Sequence, residues 1–526
     1  MKKSILAIGA AAVVGGLGFA GSAQAVVLFG DVAATPRSPL VAATDVVQNP
    51  GSIGHFLFAP YFTANESMNT LIAITNTDET NGKAVKVRFR GAANSDDVLD
   101  FTVFLSPGDV WTGSVARDGN TNHAVITTED NSCTIPVAAD WPGVFSANRL
   151  GGFLSSDVAA ANTREGYIEV LNMADIPPST VTGSLYKGIK HVNGEAPCSS
   201  IPYADMLSTT VDDATNASAH GLAAPSGGLM GTWGIVDHTQ IAMFSGNMTA
   251  ITASSAVDVA SGTTTSGYGY IAFAPQVGLT ATQAVVDANT ADPLLTTTGI
   301  AISGITPLWY DLPDMSTPLT STYAHPGLQA DRLSATLAKG QIYNDYMATA
   351  SGAALALQTD WVVSQPTRRY HAAVAYGTTA ASSVPVYVDH SAAVVGTADT
   401  SVTTATGLYS SLNLNTALAN GPMLCLGVAF SSADREETFT TLGGSFSPGV
   451  TSPYCGEVFT VSFGATKVLR PNLTNRTVTP VGEYGWARLA LPTAGTALPM
   501  VGFAASGHTS TNGNYGMTLP HRWGSN

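Results

Sequence analysis

Polar and apolar residues alternate along much of this chain. In KAVKVRFR, Val85, Val87 and Phe89 alternate with Lys86, Arg88 and Arg90. A period of two marks a strand with one face in a core and the other in water. Leu99, Phe101, Val103 and Leu105 repeat the pattern after a polar loop at 91–97, and Ser106-Pro107-Gly108-Asp109 makes a turn before Val110-Trp111. The stretch 83–113 therefore reads as a hairpin with Trp111 packed beside its apolar face. Similar runs predict strands at 55–62, 70–75, 166–171, 231–236, 241–244, 360–363, 423–430, 457–463, 486–491 and 500–504. Short strands punctuated by Gly, Pro, Asn and Asp indicate an all-β protein built from Ig-like or jelly-roll-like sandwiches. One helix is expected in the C-terminal half, near 328–346, where Leu328, Leu333, Leu337 and Ile342 recur at helical spacing and Gly340 ends or breaks it.

The chain of 526 residues exceeds what one core usually serves, so two domains are expected. The pattern places an N-terminal sandwich at 26–255 and a C-terminal β-rich domain at 256–526. Stretches rich in Ser, Thr, Ala and Gly at 252–266 and 284–304 read as a linker or insertion. Phe58-Ala59-Pro60 is echoed by Phe273-Ala274-Pro275, and the 166–170 segment by 485–489, which raises the idea of duplicated halves.

The first 25 residues read as an export signal. Lys2 and Lys3 precede an apolar run from Ile5 to Phe19, and Ser22-Ala23-Gln24-Ala25 supplies the cleavage site. No later apolar run is long enough for a membrane-spanning helix. The four cysteines, Cys133, Cys198, Cys425 and Cys455, fit two disulfides in an oxidising compartment. Of the three connectivities, Cys133–Cys198 with Cys425–Cys455 keeps each bridge within one half of the chain.

Charged residues are only 11% of the chain and the net charge is −15. Such a surface is neutral and hydroxyl-rich, and its acidic balance disfavours nucleic acid. No nucleophile elbow, zinc-protease motif or phosphate loop occurs. Asp237-His238 and Asp389-His390 are neighbours that a strand would point to opposite faces, so they read as loop residues. Arg368, Arg369 and His371 read as charge balance or a sheet-edge device. Six of the seven tryptophans, Trp111, Trp141, Trp233, Trp309, Trp361 and Trp486, sit in or near apolar runs and read as core more than as a sugar platform. Carboxylates are the better functional candidates. Asp96, Asp97 and Asp100 lie in or beside a predicted loop where hard oxygen ligands could hold calcium, or form a lattice contact; Asp212-Asp213 and the Asp311/Asp314 pair are similar.

FAPYF (58–62), NTLIAITNT (69–77), KAVKVRFR (83–90), NSDDVLDFTVFLSPGDVWTG (94–113), TDWVVSQPTRRY (359–370) and GWARLALPTAGTALPMVGFAAS (485–506) together resemble a family of exported proteobacterial cell-surface proteins. Its relatives include surface-layer-like proteins of β-proteobacteria that sheathe tubes of outer-membrane vesicles called nanopods. The resemblance implies a non-enzymatic structural protein, secreted to the surface of a Gram-negative cell. It would self-assemble into a layer or sheath, with outer-membrane components as anchoring partners and calcium as the one cofactor to consider. Two other functions compete with it: a secreted adhesin that binds glycans or surfaces, and an outer-membrane β-barrel.

Overall fold

The computed structural model describes residues 45–254 and 326–524, with breaks at 138–142, 199–218, 224, 350–355, 390–396, 400–411, 443–451, 465, 492–496 and 511–512, together with Asp292 and Leu294. The expected signal at 1–25, nearly all of both Ser/Thr-rich stretches, Phe273–Pro275, Trp141, Trp309, Asp212, Asp213, Asp311 and Asp314 lie outside the described residues.

The protein is all-β, built of packed, mostly antiparallel sheets, with three short α-helices among the described residues. The N-terminal strands are β1 (Asp45–Asn49), β2 (Phe56–Thr63), β3 (Met68–Asn76), β4 (Gly82–Gly91), β5 (Asp97–Leu105), β6 (Val110–Arg117), β7 (Ala124–Thr127), β8 (Cys133–Ile135), β9 (Glu165–Ile176), β10 (Leu229–Asp237), β11 (Ala242–Asn247) and β12 (Thr249–Ser254). They form two sheets, in the orders β1-β12-β2-β9-β4-β5-β8 and β11-β10-β3-β6-β7. Leu57, Ile72, Val85, Val87, Phe89, Phe101, Val103, Trp111 and Trp233 fill the space between them. The predicted apolar face of the hairpin is this core, and Trp111 is fully buried in it.

Helix α1 (Ser156–Asn162) is capped by the Ser155 hydroxyl, and α2 (Leu185–Ile189) by that of Ser184. Both lie in the N-terminal half, where no helix is expected from periodicity. They are five to seven residues long, too short to show a repeat of 3.6. The third, α3 (Pro326–Leu337), occupies the predicted place but ends at Leu337. Ile342 belongs to a strand instead, because the run after Gly340, QIYNDYM, alternates buried and exposed positions.

The C-terminal strands needed below are β13 (Gln341–Met347), β14 (Ala356–Ser364), β15 (Met423–Asp434), β16 (Phe439–Leu442), β17 (Ser452–Cys455), β18 (Val458–Phe463), β19 (Tyr484–Ala490), β20 (Val501–Ser510), β21 (Gly513–Pro520) and β22 (Arg522–Trp523). One sheet runs β15-β19-β13-β22, with β16 and β17 also pairing with β15; another runs β18-β14-β20-β21. Their shared core includes Ile342, Tyr346, Trp361, Phe430, Phe463 and Leu489.

The two halves are not separate beads. Val362, Val458, Leu469 and Phe503 join the N-terminal core. On the other face of the first sheet, Phe56, Phe58 and Leu171 pack against Leu333 and Leu337 of α3, with Tyr370 and Val501. That sheet is covered on both sides, and every residue of β2, β4 and β9 is buried. Two disulfides, Cys133–Cys198 and Cys425–Cys455, have the sequential connectivity.

Candidate functional site: a buried layer of charge

Because β4 is covered on both faces, its polar residues are not in water. Lys86, Arg88 and Arg90 have no solvent exposure. This corrects the expectation of a strand with one wet face. Period-two alternation shows that two faces differ, and here the second face meets protein. In register, Arg90 lies opposite Tyr167 of β9 and Asp97 of β5, and Arg88 lies opposite Glu169 and Asp100. Residues 97 and 100 would point to opposite faces of a regular strand. A bulge skips Val98, so both aspartates face the same layer.

The contacts are close. Lys86 Nζ lies 2.9 Å from Asp100 Oδ1, and an Arg88 amino group 2.9 Å from Asp100 Oδ2. Arg90 reaches Asp97 at 2.6 Å and Glu169 at 3.3 Å, and donates to the Tyr370 hydroxyl at 2.9 Å. From the C-terminal half, Arg369 pairs with Asp96 and with Asp292, each at 3.0 Å. Tyr376 donates to Asp96 at 2.5 Å, and Arg368 lies 3.5 Å from Glu457. Tyr167 links the two sides by donating to Glu169 and to Glu457. Backbone bonds close the same seam: Glu457 and Val458 N–H groups donate to the Ala92 carbonyl at 2.8 and 3.0 Å. Five cations (Lys86, Arg88, Arg90, Arg368, Arg369) thus meet six carboxylates (Asp96, Asp97, Asp100, Glu169, Glu457, Asp292), nearly balanced and almost wholly out of water.

Burial and pairing compete at each group. Burial lifts Asp96 to about 6 despite Arg369. Burial also pushes Asp97 up, but Arg88 and Arg90 overcome it and hold that carboxyl well below the usual range. Burial brings Lys86 down to about 8 against the pull of Asp100. Glu457 is raised by burial, with Arg368 opposing.

Asp96, Asp97 and Asp100, expected to hold calcium or a lattice neighbour, are built into this layer. Asp96 and Asp100 are buried and Asp97 nearly so. Their oxygens do not converge on a common point, and guanidinium and ammonium groups of the same chain fill the seats a cation would take. Among the described residues no group of three His, Cys, Asp or Glu side chains could hold a metal ion. The residues present do not fit calcium at this position. Arg368 and Arg369 are buried members of the layer, an internal form of the charge balance expected of them. Asp237 is not a surface loop residue: it is buried, caps the Thr239 and Gln240 amides and pairs with Arg470.

A second constellation has no local sequence signal, because its members are 37 residues apart. Ser334 Oγ lies 2.7 Å from His371 Nε2, and His371 Nδ1 lies 3.3 Å from Asp331. The order is that of a nucleophile, base and acid. Ser334 is nevertheless fully buried, and its hydroxyl also bonds Thr367 at 2.6 Å. A nucleophile needs space about 3 Å away for the reacting carbon, and none opens to solvent here. The group is a clasp that ties α3 to the Arg368–Tyr370 turn. Of the tryptophans, Trp111, Trp233 and Trp361 are core and Trp486 is exposed.

No family model, no curated protein and no solved structure matches this chain.

Proposed function

We propose that this is a non-enzymatic structural protein of the outer cell surface, one that self-assembles into a layer or sheath. The observation that carries the reading is the charge layer. Eight of its eleven charged members come from the blocks KAVKVRFR, NSDDVLDF and TDWVVSQPTRRY, which are among the blocks on which the family resemblance rests. In this protein those blocks help weld two sandwich halves into one body, with no open cleft between the halves among the described residues. Rigid units with fixed relative geometry suit a periodic array, where small hinge motions in each copy would accumulate into disorder. The two disulfides and the export signal fit an exposed, oxidising location. Assembly contacts would lie on the outer sheet faces and edges.

Electron microscopy of the purified full chain tests this. Ordered sheets or tubes, formed with or without added calcium, are the expected result. A protein that stays monomeric at high concentration in both conditions would sink the proposal. The adhesin reading is favoured by one observation, the exposed aromatic face around Trp486.

A further inference from the structure

The outer face of the C-terminal sheet carries two cross-strand rows fixed by register. In one, Asp345, Trp486, Ala433 and Phe439 stand side by side on β13, β19, β15 and β16. In the next, Arg522, Tyr343, Arg488 and Ser431 do the same on β22, β13, β19 and β15. Trp486 is 41% exposed and Phe439 66%. The Trp486 ring centre lies 6.1 Å from that of Tyr343 and 6.1 Å from that of Phe439. These rings are not overflow from the core, since their strand neighbours Ile342, Ala487, Leu489 and Phe430 fill that core from the opposite face. Ala433, small and buried, leaves the space between Trp486 and Phe439 clear of any long side chain.

The polar groups beside the rings are available. Arg522 lies 3.4 Å from Asp345, and both are at least half exposed. Arg488 has no hydrogen bond or ion pair among the described residues. Arg435 and Glu436, at the rim, pair with one another. Within the two rows two arginines therefore stand against one carboxylate, while the adjoining turn adds Asp434 and Glu437 beside the Arg435–Glu436 pair.

We infer that this face binds an acidic polysaccharide. The aliphatic C–H face of a pyranose ring stacks on an exposed aromatic ring, and Tyr343, Trp486 and Phe439, neighbours across the two rows, offer adjacent rings to successive sugars. Arg488 and Arg522 would take sugar carboxylates, and Asp345 would accept from hydroxyls. Arg488, with no hydrogen bond or ion pair among the described residues, favours a uronate-type chain over a neutral glucan, and over a second copy of this acidic protein. The inference goes beyond self-assembly and stands independently of it.

The test is affinity electrophoresis of the full-length protein in gels containing polygalacturonate or dextran. Polygalacturonate should retard the wild type, less so as salt is raised, while dextran should not. Trp486→Ala should weaken retardation about tenfold or more, the scale of one lost stacking contact with a flanking ion pair. Trp486→Phe should restore most of it, and Arg488→Gln should weaken it several-fold. Thermal unfolding of these surface variants should match the wild type. Equal retardation of wild type and Trp486→Ala, equal retardation by dextran, or no retardation at all would each overturn the inference. Loss of ordered sheets in Trp486→Ala with retardation intact would also overturn it, assigning the face to contacts between copies. Because sheet formation and retardation are read separately, failure of the assembly proposal and failure of this one are distinguishable.

Discussion

Replacing Arg90 by alanine would remove one guanidinium from between Asp97, Glu169 and the Tyr370 hydroxyl, leaving two buried carboxylates short of a counter-charge. Breaking a buried pair from one side typically costs 3–5 kcal/mol, whereas replacing both partners by apolar groups can be neutral. Arg90→Ala is therefore expected to destabilise the protein by about 3–5 kcal/mol, and Lys86→Met combined with Asp100→Leu by less than Asp100→Leu alone, which strands both Lys86 and Arg88. Urea denaturation with a double-mutant cycle measures both. A second residue gives a pH signature. Burial raises Asp360 to about 6, and its partners there are chiefly backbone amides such as Leu469 N–H, which cannot cancel the cost. Its folded pKa lies above its unfolded value, so the folded state holds the proton more tightly between about pH 4 and 6. Stability from this group is present below pH 4 and is lost as pH rises through 6. Asp360→Asn should leave stability near pH 4 almost unchanged and raise it at pH 7 by on the order of 2 kcal/mol. An identical pH profile for mutant and wild type would refute the assignment.

At the scale of strands, Gly166 is the point where two elements come closest. A β-carbon there would lie 1.7 Å from the Arg90 carbonyl oxygen, backbone that cannot swing away. Gly166→Ala should break the β9–β4 pairing and abolish folding or cost more than about 4 kcal/mol, well beyond an ordinary substitution; circular dichroism and solubility would show it. Much of this level was legible from sequence. Alternation located the strands, and an expected export signal with four separated cysteines pointed to the disulfide pairing. What escaped was long-range. Lys86, Arg88 and Arg90 look solvent-facing until the fold buries them, Arg90 against the Tyr370 hydroxyl. Asp97 and Asp100 look unrelated in phase until a bulge aligns them. Ser334 and His371 have no reason to meet until α3 docks. Helix α3 itself was legible, but its end was not, because Ile342 continues a helical count while β13 claims it through pairing with β19.

For the whole molecule, the continuous cores and the seam predict one cooperative unit. Calorimetry of the oxidised protein should show a single transition whose calorimetric and van't Hoff enthalpies agree; two separated peaks would contradict a welded seam. Reduction should shift that transition downward. Cys133–Cys198 spans 65 residues and Cys425–Cys455 spans 30, so loop entropy assigns about 4 kcal/mol to each, slightly more to the first. The seam also acts on time. Asp96 cannot meet Arg369, 273 residues later, until most of the chain has been made. Until then Arg88, Arg90 and their carboxylates keep their water, and the first sheet has only one of its two covers. Late closure of this kind slows folding. For the export proposed above that delay would have a use: the chain would stay loose enough to be threaded through a membrane, and would lock only when its last third arrived on the far side.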